Sequence, residues 1–402
     1  MLKGEHVSLV TDLPASPEVD ELPRVIDAAV PIWAERFGVG REKTKPWRIQ
    51  AYLIGDRDKF VAARLMPDRS SEFRYGLSLG HELWLFRQES DYYQRCLLIH
   101  EATHSFMSTQ LGSCGPGWYM EGMAELLGSH TWSPESGGLQ LGVTPPERLA
   151  REVGRVGLLQ KAFEEKRALP IARVMQIDNN QVLANESYAW VGALASFLDA
   201  HPRYQQRFRT LPQMVLDEGF NQRFGELYEQ DWSDLETEWR VYIATLQYEH
   251  NIPREAIEFH RGEPLEASAS MKLAADRGWQ STGVLVEVGK TYAIDAGGMF
   301  TIAKEPDGTP APCTAGGVTL EYHAGRPLGI LLAAIDARAS AGGDGRRAAA
   351  PGSFLRPAVL GGVRRFTPNR TGTLYLRVND SPARLRENEG ALEVSIAAAS
   401  DD

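Results

Sequence analysis

Cysteine is scarce: Cys96, Cys114 and Cys313 are the three in a chain of 402 residues. Three thiols build no disulfide framework, and their spacing matches no metal-ligand pattern. Long apolar runs are missing as well, so no stretch is sized to span a bilayer. The start, MLKGEHVSLVTDLP, lacks the apolar segment of a secretory leader. Cytoplasmic is therefore the default expectation, although a secreted form already stripped of its leader would read the same. Positive charge is outweighed, with 43 Lys and Arg against 53 Asp and Glu giving −10, and no basic patch stands out. That balance excludes nucleic acid and anionic membrane surfaces as expected partners. What remains is 43% apolar residues over 402 positions, ample for two domains with real cores.

The chain is organised around His100-Glu101-Ala102-Thr103-His104. Residues four apart share a helix face, so His100 and His104 can offer imidazole nitrogens to one metal ion. Glu101 falls at the rim of that face, beside any water the metal holds. Upstream, Asp91 to Ile99 repeats apolar residues at helical spacing, with Ser90 or Asp91 to cap the start and Gly112 to stop the helix. Two histidines on a half-buried helix can equally be core residues. What favours a metal is the second segment, Trp118-Tyr119-Met120-Glu121-Gly122-Met123-Ala124-Glu125, which follows a Gly/Pro-rich turn. Catalytic zinc takes three protein ligands and keeps a fourth position for water, and Glu121 is the candidate third. Glu125, one helical turn on, can accept a hydrogen bond from a ligand histidine. Cys114 lies in the intervening turn and reads as an ordinary loop thiol.

HEATH followed by W-Y-x-E-G-x-A-E resembles the gluzincin metallopeptidases of the peptidase MA-like group, over about His6 to Gln247. The resemblance implies zinc held by His100, His104 and Glu121, with Glu125 supporting a ligand from behind. The spacing is slightly shorter than in the best-known members, which keeps Glu125 as the alternative third ligand. Further on, Glu186-Ser187-Tyr188-Ala189-Trp190 opens an apolar helix whose tyrosine by itself reads as core. This Y-A-x-W…FL stretch is similar to the one that brings a tyrosine to the zinc in that group. The similarity makes Tyr188 the expected oxyanion donor, with Tyr119 and His130 as alternatives. The implied activity is hydrolysis of peptide or protein substrates with Glu101 as general base. No Gly-x-Met-Glu-Asn stretch precedes His100, and the nearest strand reads Tyr75 to His81. Endopeptidase is thus the expected mode.

An α+β, multidomain chain is expected. A metallopeptidase domain would occupy 1–250, its 1–112 half holding a small mixed sheet and the motif helix, its 113–250 half mainly helical. The strands would be His6–Thr11, Trp47–Ile54 and Glu82–Phe86, the last or a neighbour forming the edge nearest the metal. Trp232 to Leu246 would close the domain, and a polar linker would run over 251–264. From 265 to 402 the period becomes two, as in Leu374-Leu376-Val378 and Leu392-Val394-Ile396, which reads as an all-β sandwich. Residues 337–352 are Ala/Gly/Arg-rich and read as a mobile loop. Gly372 to Asp380 with Asn388 to Leu392 resembles the bacterial galactose-specific lectin sandwich (PA-IL-like), over roughly the last 110 residues. That resemblance implies Ca2+ on Asp380, Glu387 and Asn388, with bound carbohydrate, although Arg384 replaces a small residue of the family; the same residues read equally as a turn whose carboxylate caps backbone amides. Two other readings stand beside the peptidase. One is a glycan- or protein-binding module for which the metallopeptidase-like half is a scaffold; the other is zinc hydrolysis of a non-peptide bond.

Overall fold

The computed structural model describes residues 1–68, 73–178, 185–304, 307–338, 352–362 and 365–399. It divides into two compact units, Met1–Leu227 and Tyr228–Asp402. The chain is α+β, with helices concentrated in the first unit and strands in the second. Among the described residues no helix is long and apolar enough to cross a membrane.

The first unit opens with a five-stranded sheet: β1 (Leu2–Lys3), β2 (Val7–Thr11), β3 (Ile49–Ile54), β4 (Gly76–Leu79) and β5 (Glu82–Phe86), in the order β1-β2-β3-β5-β4. β2, β3 and β5 run parallel, while β1 and β4 pair antiparallel at the two edges. β5 is therefore an interior strand, buried at Leu83, Trp84 and Leu85. The edge belongs to its neighbour β4. The helix Leu22–Phe37 buries the stripe Leu22, Val25, Ala29, Trp33 and Phe37, the 3.6-residue periodicity of its sequence made physical. Trp33 packs on Phe106 of the motif helix, ring centroids 5.6 Å apart.

The second unit is a sandwich. One sheet contains Gly316–His323, Arg326–Asp336, Gly372–Val378, Gln280–Val286 and Glu263–Pro264; the other contains Arg365–Phe366, Tyr292–Gly297, Ala391–Ala398 and Ser268–Ala274. Leu374, Leu376 and Val378 from the first sheet meet Leu392, Val394 and Ile396 from the second in one core. Every residue of Gly372–Val378 is buried, because the outer face of this strand is covered too. Tyr375 joins Val241, Ile257, Trp279 and Phe354 there.

That cover moves the division between units. The helix Trp232–Thr245, expected to close the first domain, places Val241 in the second unit's outer-face cluster. The expected linker 251–264 is packed structure in its first half. Ile257 is buried and donates its N–H to Glu238 over 2.7 Å, and Glu255 forms a buried pair with Arg377. Most of the Ala/Gly/Arg-rich stretch 337–352 lies outside the described residues.

Candidate metal centre

The motif helix runs Asp91–Phe106, its first turn capped by Ser90, whose Oγ accepts the Tyr93 N–H. It presents His100 and His104 on one face, ring centroids 4.8 Å apart. The helix Gly117–Gly128 follows the Gly/Pro-rich turn and brings Glu121 against both rings. His100 Nε2 and His104 Nε2 lie 3.1 Å apart, and Glu121 Oε2 is 3.2 Å from the first and 3.3 Å from the second. Although so close, Glu121 Oε2 is buried and makes no hydrogen bond. The three atoms converge, each within 3.3 Å of the other two. A tetrahedral zinc with bonds of about 2.0–2.1 Å separates its ligand atoms by about 3.3 Å, so this triangle has the dimensions of one tetrahedral face. Two imidazoles and a carboxylate are also a donor set zinc accepts. Among the described residues this is the one group of three or more His, Cys, Asp or Glu side chains suited to a metal.

Charge follows the same geometry. Burial opposes protonation of His100, yet the carboxylates of Glu121 and Glu125 outweigh it and raise its pKa to about 9. Glu121 resists burial through its two imidazole neighbours and is held well below the usual carboxylate range. Without metal the cluster thus stores protons on nitrogen, which a divalent cation would displace.

Glu101 is buried beside the triangle, and its pKa is raised by that burial against the pull of both imidazoles. Its carboxylate lies along Gly76 of β4, where a Cβ would come within 2.4 Å of Glu101 Oε1. Glycine is needed at that place on the edge strand because the general-base candidate occupies the side-chain volume.

Glu125 reaches the back of the same site. Its Oε1 is 3.4 Å from His100 Nδ1, so it stands behind a ligand histidine rather than in the triangle. Arg155, from the helix Arg155–Glu164, grips Glu125 with a two-point fork: Nε donates to Oε2 at 2.8 Å and Nη2 to Oε1 at 3.0 Å. Burial would raise the Glu125 pKa, but Arg155 brings it to about 2.

Tyr188 comes from the helix Asn185–Ala200. That helix crosses the Glu121 helix closely, Gly192 lying on Glu125 and Gly122 on the Val191 carbonyl; a Cβ at either would meet its neighbour at 2.9 Å. The crossing puts the Tyr188 ring edge-on to His100 at 6.0 Å and under the Arg155 guanidinium at 5.1 Å. Burial and the carboxylates of Glu121, Glu101 and Glu125 raise its pKa, so the phenol keeps its proton. The alternatives are placed elsewhere. Tyr119 is buried among Trp118, Phe208 and Phe220, and His130 stacks on Tyr92 with Nδ1 on the Gly128 carbonyl. Cys114 directs its sulfur at the His104 carbonyl, 3.6 Å away.

In the second unit the residues of the calcium expectation already have partners. Asn388 turns its amide nitrogen, not its oxygen, to Asp380, donating to Oδ2 at 2.9 Å and to the Ala275 carbonyl at 3.0 Å. Asp380 Oδ1 accepts the Ser381 N–H at 2.6 Å. Glu387 turns to Arg384, 3.4 Å away, the residue that departs from the lectin pattern. Asp380 and Asn388 are thus joined to each other, and Glu387 to Arg384.

Arg155 and Gly76 were invisible to sequence reasoning, since only helix packing and strand order bring them to the motif.

No protein-family model matches the chain, and no curated protein does. Among solved structures it is similar to an EclA N-terminal domain described as a PllA-like lectin. The identity is 19% and the TM-score 0.24, over 33% of this chain and 96% of that domain. A likeness at that score carries no weight for fold or function here.

Proposed function

We propose that the protein is a zinc-dependent hydrolase acting on peptide or protein chains. The observation that carries this reading is the triangle of His100 Nε2, His104 Nε2 and Glu121 Oε2, with edges of 3.1–3.3 Å and Glu101 buried beside it. Zinc bound there supplies a water of lowered pKa and a Lewis acid for the scissile carbonyl. Glu101, its basicity raised by burial, takes the proton of the attacking water and delivers it to the leaving amine. Tyr188, a neutral phenol beside His100, donates a hydrogen bond to the oxygen that gains charge. Glu125 holds His100 through Nδ1 and fixes which ring nitrogen faces the metal. The edge strand β4 runs past Glu101 at Gly76, and its open side can pair with an extended peptide. An extended strand site suits internal bonds, and endopeptidase remains the proposed mode.

The test combines elemental analysis with digestion of a peptide library read by mass spectrometry. The reading expects one zinc per chain, lost in His100→Ala, and cleavage at internal bonds. Zinc retained in full by Glu121→Gln would remove Glu121 as the third ligand. A zinc-loaded protein that cleaves no peptide would overturn the peptidase reading and leave hydrolysis of another bond. The second unit has a separate candidate role as a binding module. Leu320 and Tyr322, 94% and 65% exposed, project from its edge strand Gly316–His323, and an aromatic on an open sheet suits sugar or protein. Glycan-array binding by the full chain, lost in Tyr322→Ala, tests it.

A further inference from the structure

Arg155 belongs to neither motif, yet it touches three parts of the site at once. Its fork holds both oxygens of Glu125, its plane lies over the Tyr188 ring at 5.1 Å, and Nη1 donates to the Asn185 carbonyl at 3.4 Å. Glu125 in turn meets His100 Nδ1, and the Tyr188 ring meets the His100 ring. The four side chains form a closed circuit, from His100 to Glu125 to Arg155 to Tyr188 and back. Among the described residues His104 Nδ1 makes no hydrogen bond, so Glu125 is the one carboxylate standing behind the ligand imidazoles. We propose that Arg155 is a positioning residue that locks the metal ligand His100, through Glu125, and the Tyr188 ring into one arrangement. The inference rests on the zinc reading given above.

Physical reasons favour arginine for this task. Glu125 and Arg155 keep 12% and 20% of their side-chain surface exposed. A carboxylate so enclosed stays charged only with a counter-charge and hydrogen bonds in place. The planar fork fixes both Glu125 oxygens, which a point-like ammonium cannot do, and the same plane stacks on an aromatic face. The carbonyl at Asn185 opens the helix that carries Tyr188, one turn before it. Loss of Arg155 should therefore free the acceptor behind His100 and the tyrosine together. Removing the support behind a zinc ligand typically weakens metal binding by about 10–100-fold.

The experiment is a double-mutant cycle read by zinc affinity, using competition with a chromophoric chelator on the full chain. The variants are Arg155→Met, Arg155→Lys, Glu125→Gln and the double Arg155→Met/Glu125→Gln, with melting of each metal-free protein measured alongside. If the proposal holds, Arg155→Met and Glu125→Gln each weaken zinc by about 10–100-fold, and the double variant is no worse than the weaker single. Arg155→Lys should recover only part of the loss. The double variant replaces a charged pair by two neutral groups and so keeps the cycle readable if Arg155→Met folds poorly. Wild-type affinity in Arg155→Met overturns the proposal, as do additive losses. Tighter zinc in Arg155→Met also overturns it, since Arg155 would then act only as a repelling charge. A wild-type chain that binds no zinc would instead overturn the reading on which the proposal rests.

Discussion

Among the described residues each unit buries an arginine–glutamate fork, and the two forks end differently. In the first unit Arg155 holds Glu125 at 2.8 and 3.0 Å, and Glu125 passes on to His100, whose other nitrogen faces an atom with no hydrogen bond. In the second, Arg377 holds Glu255 at 2.9 and 3.0 Å, but its remaining donors go to the carbonyls of Val378 and Asp380. One network opens onto a convergent point; the other closes on backbone. Buried charge by itself is weak evidence for function, because structural networks perturb charge as strongly. What distinguishes the first network is that it ends at a buried carboxylate oxygen with no hydrogen bond, shared between two imidazoles.

The largest effect expected from that contrast is on turnover. Glu101→Gln should keep zinc and lose about 10²–10⁴-fold in hydrolysis, since an amide accepts no proton from water. Near wild-type cleavage by the zinc-loaded variant would remove Glu101 as base and with it the proposed chemistry.

Breaking the second fork should cost stability and leave turnover alone. Arg377→Met strands a Glu255 that is 7% exposed, a loss of about 3–5 kcal/mol. Replacing both partners by neutral groups should restore most of it. Urea unfolding measures this, and a change in zinc affinity or turnover at equal folded fraction would blur the distinction between the two forks.

Tyr188→Phe probes the open network at its rim. Loss of one oxyanion donor should slow kcat by about 10²–10³ with little change in KM. The melting temperature should hold, because the ring contacts with His100 and Arg155 survive. An equal rise in KM with kcat unchanged would make Tyr188 a substrate contact instead.

Acid should weaken each unit through one buried histidine, in the first unit against the raised pKa of His100. Each buries a histidine that burial keeps neutral, His130 and His250, both with pKa lowered to about 4. The unfolded chain takes those protons near pH 6.5, so between about 6.5 and 4 it binds more protons than the folded one. This contribution is whole above pH 6.5 and is lost as pH falls, by about 2 kcal/mol for each histidine at pH 5. Urea midpoints at pH 7 and pH 5 check it, and His130→Gln should flatten the dependence of the first unit only.

Much of the first unit's centre was legible because it is local. A helical period fixes which residues of His100 to His104 share a face, and a turn followed by Glu121 and Gly122 fixes where the second helix begins. Arg155 was not legible. It is one of 43 basic residues, and its role depends on which helix packs on Glu125. The edge strand was narrowed in sequence only to Glu82–Phe86 or a neighbour for the same reason, since strand order is a long-range property. The helix Trp232–Thr245 shows its apolar face in sequence but not its partner, and its partner is the second unit's sheet. Sandwich strands such as Leu392-Val394-Ile396 were readable because a period of two needs no tertiary knowledge.

The smallest effect concerns the place where residue types leave two readings open, a calcium site or a carboxylate that caps turn amides. Asp380, Glu387 and Asn388 have the right oxygens for calcium, but composition says nothing of which way an amide faces. Here the Asn388 nitrogen donates to Asp380, so the carboxylate already has the Ser381 amide on one oxygen and Asn388 on the other. Burial raises the Asp380 pKa against those bonds, as befits a carboxylate used for its acceptors. Asp380→Asn keeps an acceptor for Ser381 but sets two amide nitrogens face to face. To avoid that, Asn388 must rotate, bringing its unpartnered Oδ1 into use and giving up the Ala275 carbonyl. One hydrogen bond exchanged for another leaves a cost of about 1 kcal/mol. Calcium against sodium at matched ionic strength should leave the melting of wild type and variant unchanged, because Asp380 and Asn388 bond each other and Glu387 turns to Arg384. A calcium-dependent rise in wild type that vanishes in Asp380→Asn would mean that Asn388 turns over when the ion arrives. The second unit's network would then be as open as the first.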